Sequence, residues 1–349
     1  MNKTGIIEGF FGPQWTHEAR ISYAPFLKEH GGGFYLYAPK QDPNLRKNWR
    51  SIWTPEYLKF LQDLAGTFHK EGILFGVGFS PFGLGTHLSA KDITLLEEKL
   101  SALIDIGIDM LGIFFDDMPT NNHLAETQIE ALNVIRKNFK NKIIFCPSYY
   151  TPDPILDKVF GPRPLDYLEK IANGISPEVS IAWTGPKVIS MEIPYNHLAE
   201  TTILLKRKPF LWENLYANDG PKNCKFLKLK SFTGRSPEAF NEVEAFGFNM
   251  MNQPYLSQIV YLSSLYVLNG EFQPDEAFKH SLKRLCSDSF SDFILTHRET
   301  FLTEGLDQLT SDRKQKLTSE LNKLPDPAAR EIEDWLEGKY IVGSECLTD

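Results

Sequence analysis

Cysteine is scarce in this chain. Its 349 residues include four, Cys146, Cys224, Cys286 and Cys346, scattered without paired spacing, so neither a disulfide framework nor a zinc site is indicated. Cys146 lies in an apolar run, where a thiol behaves as a small buried hydrophobe. Long apolar runs are missing as well, and no segment reaches the roughly 18 residues that a membrane-spanning helix needs. Positive charge is outweighed: 37 Lys and Arg against 45 Asp and Glu leave a net charge of −8. That balance argues against nucleic acid or an anionic membrane as partner. There is no low-complexity stretch. Met1-Asn2-Lys3-Thr4 leads straight into patterned sequence, leaving no room for a secretory leader, so a cytoplasmic location is expected.

What the chain does have is a recurrent short apolar run. Eight occur, at Gly5–Phe10, Gly33–Ala38, Ile73–Phe79, Met110–Phe115, Lys142–Cys146, Val179–Trp183, Pro209–Trp212 and Ala245–Met251. Most follow one another at about 30 to 40 residues, the size of a strand–helix unit. Several are apolar on both faces, as parallel strands covered by helices are. Amphipathic stretches lie between them, such as Lys91–Ile106 with Ser89 as N-cap. The expected fold class is therefore α/β, a (β/α)8 TIM barrel over residues 1–270, with a doubly wound open sheet as the alternative. Tyr255–Leu268 supplies the eighth helix. Beyond Gly270 the sequence predicts only helices, Asp275–Cys286, Phe290–Leu302, Ser311–Leu324 and Pro327–Glu337, with Ser311 and Asp326 as N-caps of the last two. Residues 271–349 thus read as a small all-helical C-terminal module, a surface on which two copies could pair as a homodimer.

Barrels of this kind carry their active sites at the C-terminal ends of the strands, so the ends of the runs are the places to look. Asp116-Asp117 at the end of the fourth run stands out. Two adjacent carboxyl groups push their pKa values apart, and burial adds to the effect, as in sites that need a proton donor beside an anion. An isolated pair would more commonly be a loop cap. The other ends carry Glu8-Gly9-Phe10, Tyr37-Ala38-Pro39-Lys40, Pro147-Ser148-Tyr149-Tyr150, Trp183-Thr184-Gly185, Trp212-Glu213-Asn214 with Asn218-Asp219, and Asn249 with Asn252. Carboxylates, carboxamides, a lysine and aromatic rings at one rim suit carbohydrate recognition, where rings stack on apolar sugar faces and polar groups fix hydroxyls. No histidine, cysteine or serine there has the partners of a metal site or an acyl-transfer triad. No metal and no cofactor is expected.

In their order along the chain, Gly5-Ile6-Ile7-Glu8-Gly9-Phe10-Phe11-Gly12, Tyr37-Ala38-Pro39-Lys40, Phe114-Phe115-Asp116-Asp117, Trp183-Thr184-Gly185-Pro186, Trp212-Glu213-Asn214 and Ala217-Asn218-Asp219 resemble the catalytic domain of family-84 glycoside hydrolases. That family contains O-GlcNAcases and bacterial β-N-acetylglucosaminidases, some historically called hyaluronidases. The resemblance implies a retaining exo-β-N-acetylglucosaminidase that uses the substrate's own acetamido group as nucleophile, through an oxazoline. By the same resemblance Asp116 polarises the acetamido N–H and Asp117 is the general acid and then base. Gly9 presents main chain to the sugar, and Lys40 donates to a sugar hydroxyl. Tyr150, with Tyr149 beside it as a competitor, bonds the acetamido carbonyl. Trp212 walls the acetyl pocket, Asn214 orients the acetamido group and Asp219 binds O4 and O6. Asn252, with Asn249 as competitor, adds a further sugar hydrogen bond.

Two positions depart from the family's habit. Gln41 stands where an acidic residue is common after the lysine, and Glu213 where Asp is common. Altered rim chemistry is expected rather than lost activity. The expected partner is a glycoside or glycoprotein bearing terminal β-linked N-acetylglucosamine. The alternatives are another β-hexosaminidase or hyaluronidase-type glycosidase, a glycosidase of a different class with a covalent enzyme intermediate, an inactive sugar-binding barrel, and a metal-dependent hydrolase with the Asp pair as ligands.

Overall fold

In the computed structural model, residues 3–84, 86–343 and 345–348 are described. Eight parallel strands close into a barrel in sequence order: β1 (Thr4–Glu8), β2 (Phe34–Tyr37), β3 (Leu74–Phe79), β4 (Met110–Phe114), β5 (Lys142–Cys146), β6 (Ser180–Trp183), β7 (Phe210–Glu213) and β8 (Ala245–Asn249). Closure is made by β8 on β1, with Gly5 opposite Gly247 and Ile7 opposite Asn249. This is the expected α/β barrel, and the open sheet is excluded. All residues of β1, β2, β4, β6, β7 and β8 are buried, because helices cover the outside and side chains fill the inside.

The helices begin where the sequence supplies caps. Ser89 accepts from the Asp92 N–H at 3.1 Å while the Asp92 carboxylate accepts from the Ser89 N–H at 3.4 Å, a capping box that starts Ala90–Ile106. Thr54 and Thr16 cap Pro55–Lys70 and His17–Glu29 more simply, their hydroxyls accepting from the N–H groups of Tyr57 and Ala19. The helix Pro254–Leu268 is buried along most of its length, since the C-terminal helices cover the face that an ordinary barrel helix shows to water.

Those helices are Pro274–Leu285, Asp288–Glu299, Ser311–Leu321 and Pro327–Leu336. Phe278, Phe290, Phe301 and Trp335 join the same apolar core as the barrel. The Glu331 carboxylate accepts from the N–H groups of Tyr255 and Leu256, both at 2.9 Å. It thereby satisfies the free first turn of the eighth barrel helix. Trp335 Nε1 donates to the Cys224 carbonyl at 3.1 Å. Two caps differ from expectation. Thr310, not Ser311, caps Ser311–Leu321, accepting from the Arg313 N–H at 3.3 Å. Asp326 precedes Pro327–Leu336 without capping it, because its oxygens are taken by the Ser287 N–H (2.9 Å) and hydroxyl (2.5 Å). No helix among the described residues is long and apolar enough to cross a membrane.

Candidate active site

The aspartate pair owes its geometry to the end of β4. Side chains alternate along a strand, and Phe114 points into the barrel: a Cβ on Gly112 would fall 2.3 Å from its ring. Asp116, two residues on, therefore points inward too. Phe115 points outward and packs edge-on against Phe145 at 6.0 Å. Asp117 would follow Phe115 outward, but its φ of +55° is left-handed. That turn swings its carboxylate back over the barrel mouth, beside Asp116. Aspartate tolerates this region better than most side chains do. A non-glycine residue held there at a functional site is a recurrent sign of imposed geometry.

Both carboxyl groups face a cavity of ≈ 560 Å³ at the C-terminal mouth of the barrel. Gly9, Lys40, Tyr150, Trp212, Asn214 and Asp219 line it with them, as do Phe11, Cys146, Thr184, Val188 and Asn249. Asp116 is buried and its Oδ2 is ion-paired with the buried Lys40 Nζ. Its Oδ1 is buried with no hydrogen-bond partner. Lone buried acceptors are costly and rare, and this one faces the cavity with its acceptor capacity unused.

Asp117 is held differently. Burial, then the negative charge of Asp116, raises its pKa above the ordinary carboxylate value, while Lys40, Arg46 and the Tyr150 hydroxyl pull it part of the way back. Tyr150 donates to Asp117 Oδ1 at 3.4 Å. Burial and the two aspartates push the Tyr150 hydroxyl far up, keeping it a donor. The Arg46 guanidinium lies between the rings of Phe11 (5.5 Å) and Phe82 (5.3 Å) and donates to the Asp117 carbonyl at 3.3 Å. Nothing local in the sequence marks Arg46; only the return of its loop to the rim brings it there.

The remaining walls follow from the neighbouring strand ends. Gly9 has no room for a side chain, since a Cβ would fall 2.5 Å from Trp212 Cζ2, and its N–H donates to Asn249 Oδ1 at 3.2 Å. Trp212 stands edge-on to Phe114 at 5.0 Å and closes the cavity floor. Asn214 donates to the Val188 carbonyl at 3.0 Å and accepts from Asn249 Nδ2 at 3.0 Å. Asp219 Oδ2 accepts from the Phe11 N–H at 2.8 Å, and burial pushes its carboxyl up to about 6.

Geometry separates the competing neighbours. Tyr150 faces the cavity, whereas Tyr149 bonds the Gly161 carbonyl at 2.6 Å beneath the Arg163 guanidinium. Asn249 lines the cavity, whereas Asn252 lies behind it. The Asn252 amide donates to the Phe11 and Pro13 carbonyls at 2.9 and 3.3 Å, holding the loop after β1. Cys346 and Thr348 also line the cavity, and no sequence signal links so distant a segment to the barrel mouth.

Two glutamates at the same rim are fully engaged. Glu8 takes Arg20 through two bonds of 2.8 and 2.6 Å and the Tyr35 hydroxyl at 2.6 Å. Glu213 takes Arg235 at 2.9 and 2.8 Å and the Leu215 N–H at 2.9 Å. The departure at 213 is thus a buried supporting pair. Among the described residues no group of three or more His, Cys, Asp or Glu side chains is placed to hold a metal ion.

The chain's sequence and fold are similar to those of known proteins. The sequence pattern of the β-N-acetylglucosaminidase family matches residues 4–296. The protein O-GlcNAcase of Rattus norvegicus is 31% identical over 246 residues, 67% of this chain and 26% of that protein. The chain spans about a quarter of the length of the curated relatives it matches. A mutant of the Thermobaculum terrenum O-GlcNAc hydrolase superposes with a TM-score of 0.82 at 25% identity, covering 96% of this chain and 80% of that one. CpGH84B shares the fold, with a TM-score of 0.76 at 22% identity over 97% and 66% of the two chains. By sequence pattern and by relatives, this chain belongs to the β-N-acetylglucosaminidase family, family 84 of the glycoside hydrolases.

Proposed function

We propose that the chain is a retaining exo-β-N-acetylglucosaminidase acting by substrate assistance on terminal β-linked N-acetylglucosamine of small glycosides or glycoproteins. The observation that carries this reading is the unlike state of two adjacent carboxyl groups. Asp116 is ion-paired through one oxygen and open at the other; Asp117 has a raised pKa and keeps its proton longer.

The open Asp116 oxygen accepts the acetamido N–H, which makes the amide carbonyl oxygen a better nucleophile. That oxygen bonds to the anomeric carbon as the glycosidic C–O bond breaks, and Asp117 gives its proton to the leaving oxygen. The oxazoline forms as its N-protonated cation, with the N–H still bonded to Asp116; water then attacks the anomeric carbon, the ring C–O bond breaks, and the water's proton passes to Asp117. Two displacements at one carbon retain its configuration. No enzyme carboxylate becomes covalently bound, which makes this an exception to two-carboxylate glycosidase chemistry.

Tyr150, beside Asp117, donates to the acetamido carbonyl or oxazoline oxygen. Trp212 and the Asn214–Asn249 pair bound the acetyl group, Gly9 presents its main chain to the sugar, Lys40 reaches a hydroxyl, and Asp219 takes O4 and O6. Asn252 acts through the loop it holds. Residues 1–270 are read as the catalytic unit and 271–349 as an appended helical module. A cytoplasmic location is part of the same reading.

The test is proton NMR of the first-formed sugar from an aryl N-acetyl-β-glucosaminide. The β anomer is expected before mutarotation, and initial release of the α anomer overturns the reading.

A further inference from the structure

Asp117 borders two spaces. One is the sugar cavity; the other is a groove of ≈ 890 Å³ lined by Gln41, Phe82, Phe160, Glu345 and Leu347 among others. If Asp117 protonates the leaving oxygen, the group attached to that oxygen must leave through this groove. Residues 345–348 stand between the two. Cys346 and Thr348 line the sugar cavity, while Glu345 and Leu347 line the groove, so successive residues face alternate spaces. They are therefore a partition that the departing group has to pass.

The partition is lightly held. On one side Val342 is buried with Phe11 and Cys224, and Cys346 packs against that small cluster. On the groove side, Gln41 Nε2 donates to Glu345 Oε2 at 2.7 Å, with Gln41 half-buried and Glu345 exposed. Leu347 is 55% exposed, so burial adds little there. The Gln41 amide is suited to this latch. A carboxylate at 41 would face the Glu345 carboxylate at hydrogen-bond distance and repel it.

We propose that residues 345–348 form a specificity-determining strap. Latched through Gln41 and Glu345, it admits narrow leaving groups, such as a single sugar or an aryl group, and discriminates against glycosylated polypeptide segments, which need the strap displaced. This inference rests on the proposed hydrolase activity. A bulky substrate meets a site that is competent only in the unlatched fraction, and its apparent affinity falls by that fraction. A narrow substrate meets a competent site in both states.

The test compares kcat/KM for an aryl N-acetyl-β-glucosaminide and for a serine-linked β-N-acetylglucosaminyl peptide. The full chain, Gln41→Glu, and Gln41→Glu with Glu345→Gln are measured side by side. In Gln41→Glu the lost bond and new repulsion raise the peptide-to-aryl ratio about tenfold. In the double variant donor and acceptor exchange places, the latch re-forms, and the ratio returns toward its starting value. A ratio unchanged or lowered in Gln41→Glu, or equally raised in both variants, overturns the strap and leaves the hydrolase reading standing. Absence of turnover of both substrates by the unaltered chain overturns the hydrolase reading and the strap with it.

Discussion

Three acidic side chains at the ends of barrel strands are buried against a cation, and they are not equivalent. Glu8 at the end of β1 and Glu213 at the end of β7 each meet an arginine through two bonds, and each takes a third donor as well. Asp116 after β4 meets Lys40 through one oxygen and leaves the other bare. The first two are closed units, in which a planar guanidinium matches a carboxylate edge to edge. The third is open, and lysine, a point charge, is the partner that permits it. Burial and charge alone would rank all three as candidates for chemistry. Hydrogen-bond completeness divides scaffold from site.

That division can be broken by substitution, and the two kinds should fail in opposite ways. Asp117→Asn keeps the shape and removes the exchangeable proton, so kcat should fall by about 10²–10⁴-fold on substrates with poor leaving groups. Its melting temperature should hold or rise, because one of two neighbouring negative charges is gone. Arg235→Met leaves the Glu213 charge buried and unpaired, and should cost about 3–5 kcal/mol of stability, read by denaturant titration. Folded Arg235→Met should keep a kcat close to the parent value. A barrel that unfolds with Asn at 117, or that tolerates Met at 235, would mean the distinction is drawn in the wrong place.

A smaller effect lies in pH. Asp219 has its carboxyl raised from 3.8 to about 6 by burial, so between those values the folded chain holds a proton that the unfolded chain has released. Stability from this group is therefore full below about 3.8 and declines as pH rises toward about 6. With Asp219→Asn that decline is absent. The difference in melting temperature, variant minus parent, should climb across the window and then level off. A difference independent of pH would show that Asp219 is not desolvated in the folded chain.

Much of this was readable from the sequence because it is periodic or local. The eight apolar runs correspond to the eight strands with ends displaced by a few residues at most: the run through Met251 stops pairing at Asn249, and that through Phe10 at Glu8. Ser89 and Asp92 marked a helix start through contacts three residues apart. The strand-end rule brought Asp116, Asp117, Lys40 and Trp212 to one rim without any long-range information. What escaped depends on tertiary closure. The left-handed turn at Asp117 is imposed by what surrounds it. Of the two competing pairs, the resemblance named Tyr150, which faces the cavity, and Asn252, which lies behind it; no local signal tells which way a loop rotates after its strand. Arg46, Cys346 and Thr348 arrive from segments with no periodic or motif signal.

The central claim is that the bare oxygen of Asp116 serves the substrate's own acetamido group. Rates across a series of aryl glucosaminides with acetyl, fluoroacetyl, difluoroacetyl and trifluoroacetyl groups test it most directly. Each fluorine weakens the carbonyl oxygen as a nucleophile, so kcat/KM should fall steeply and monotonically along the series. Rates that stay level across it would contradict the account.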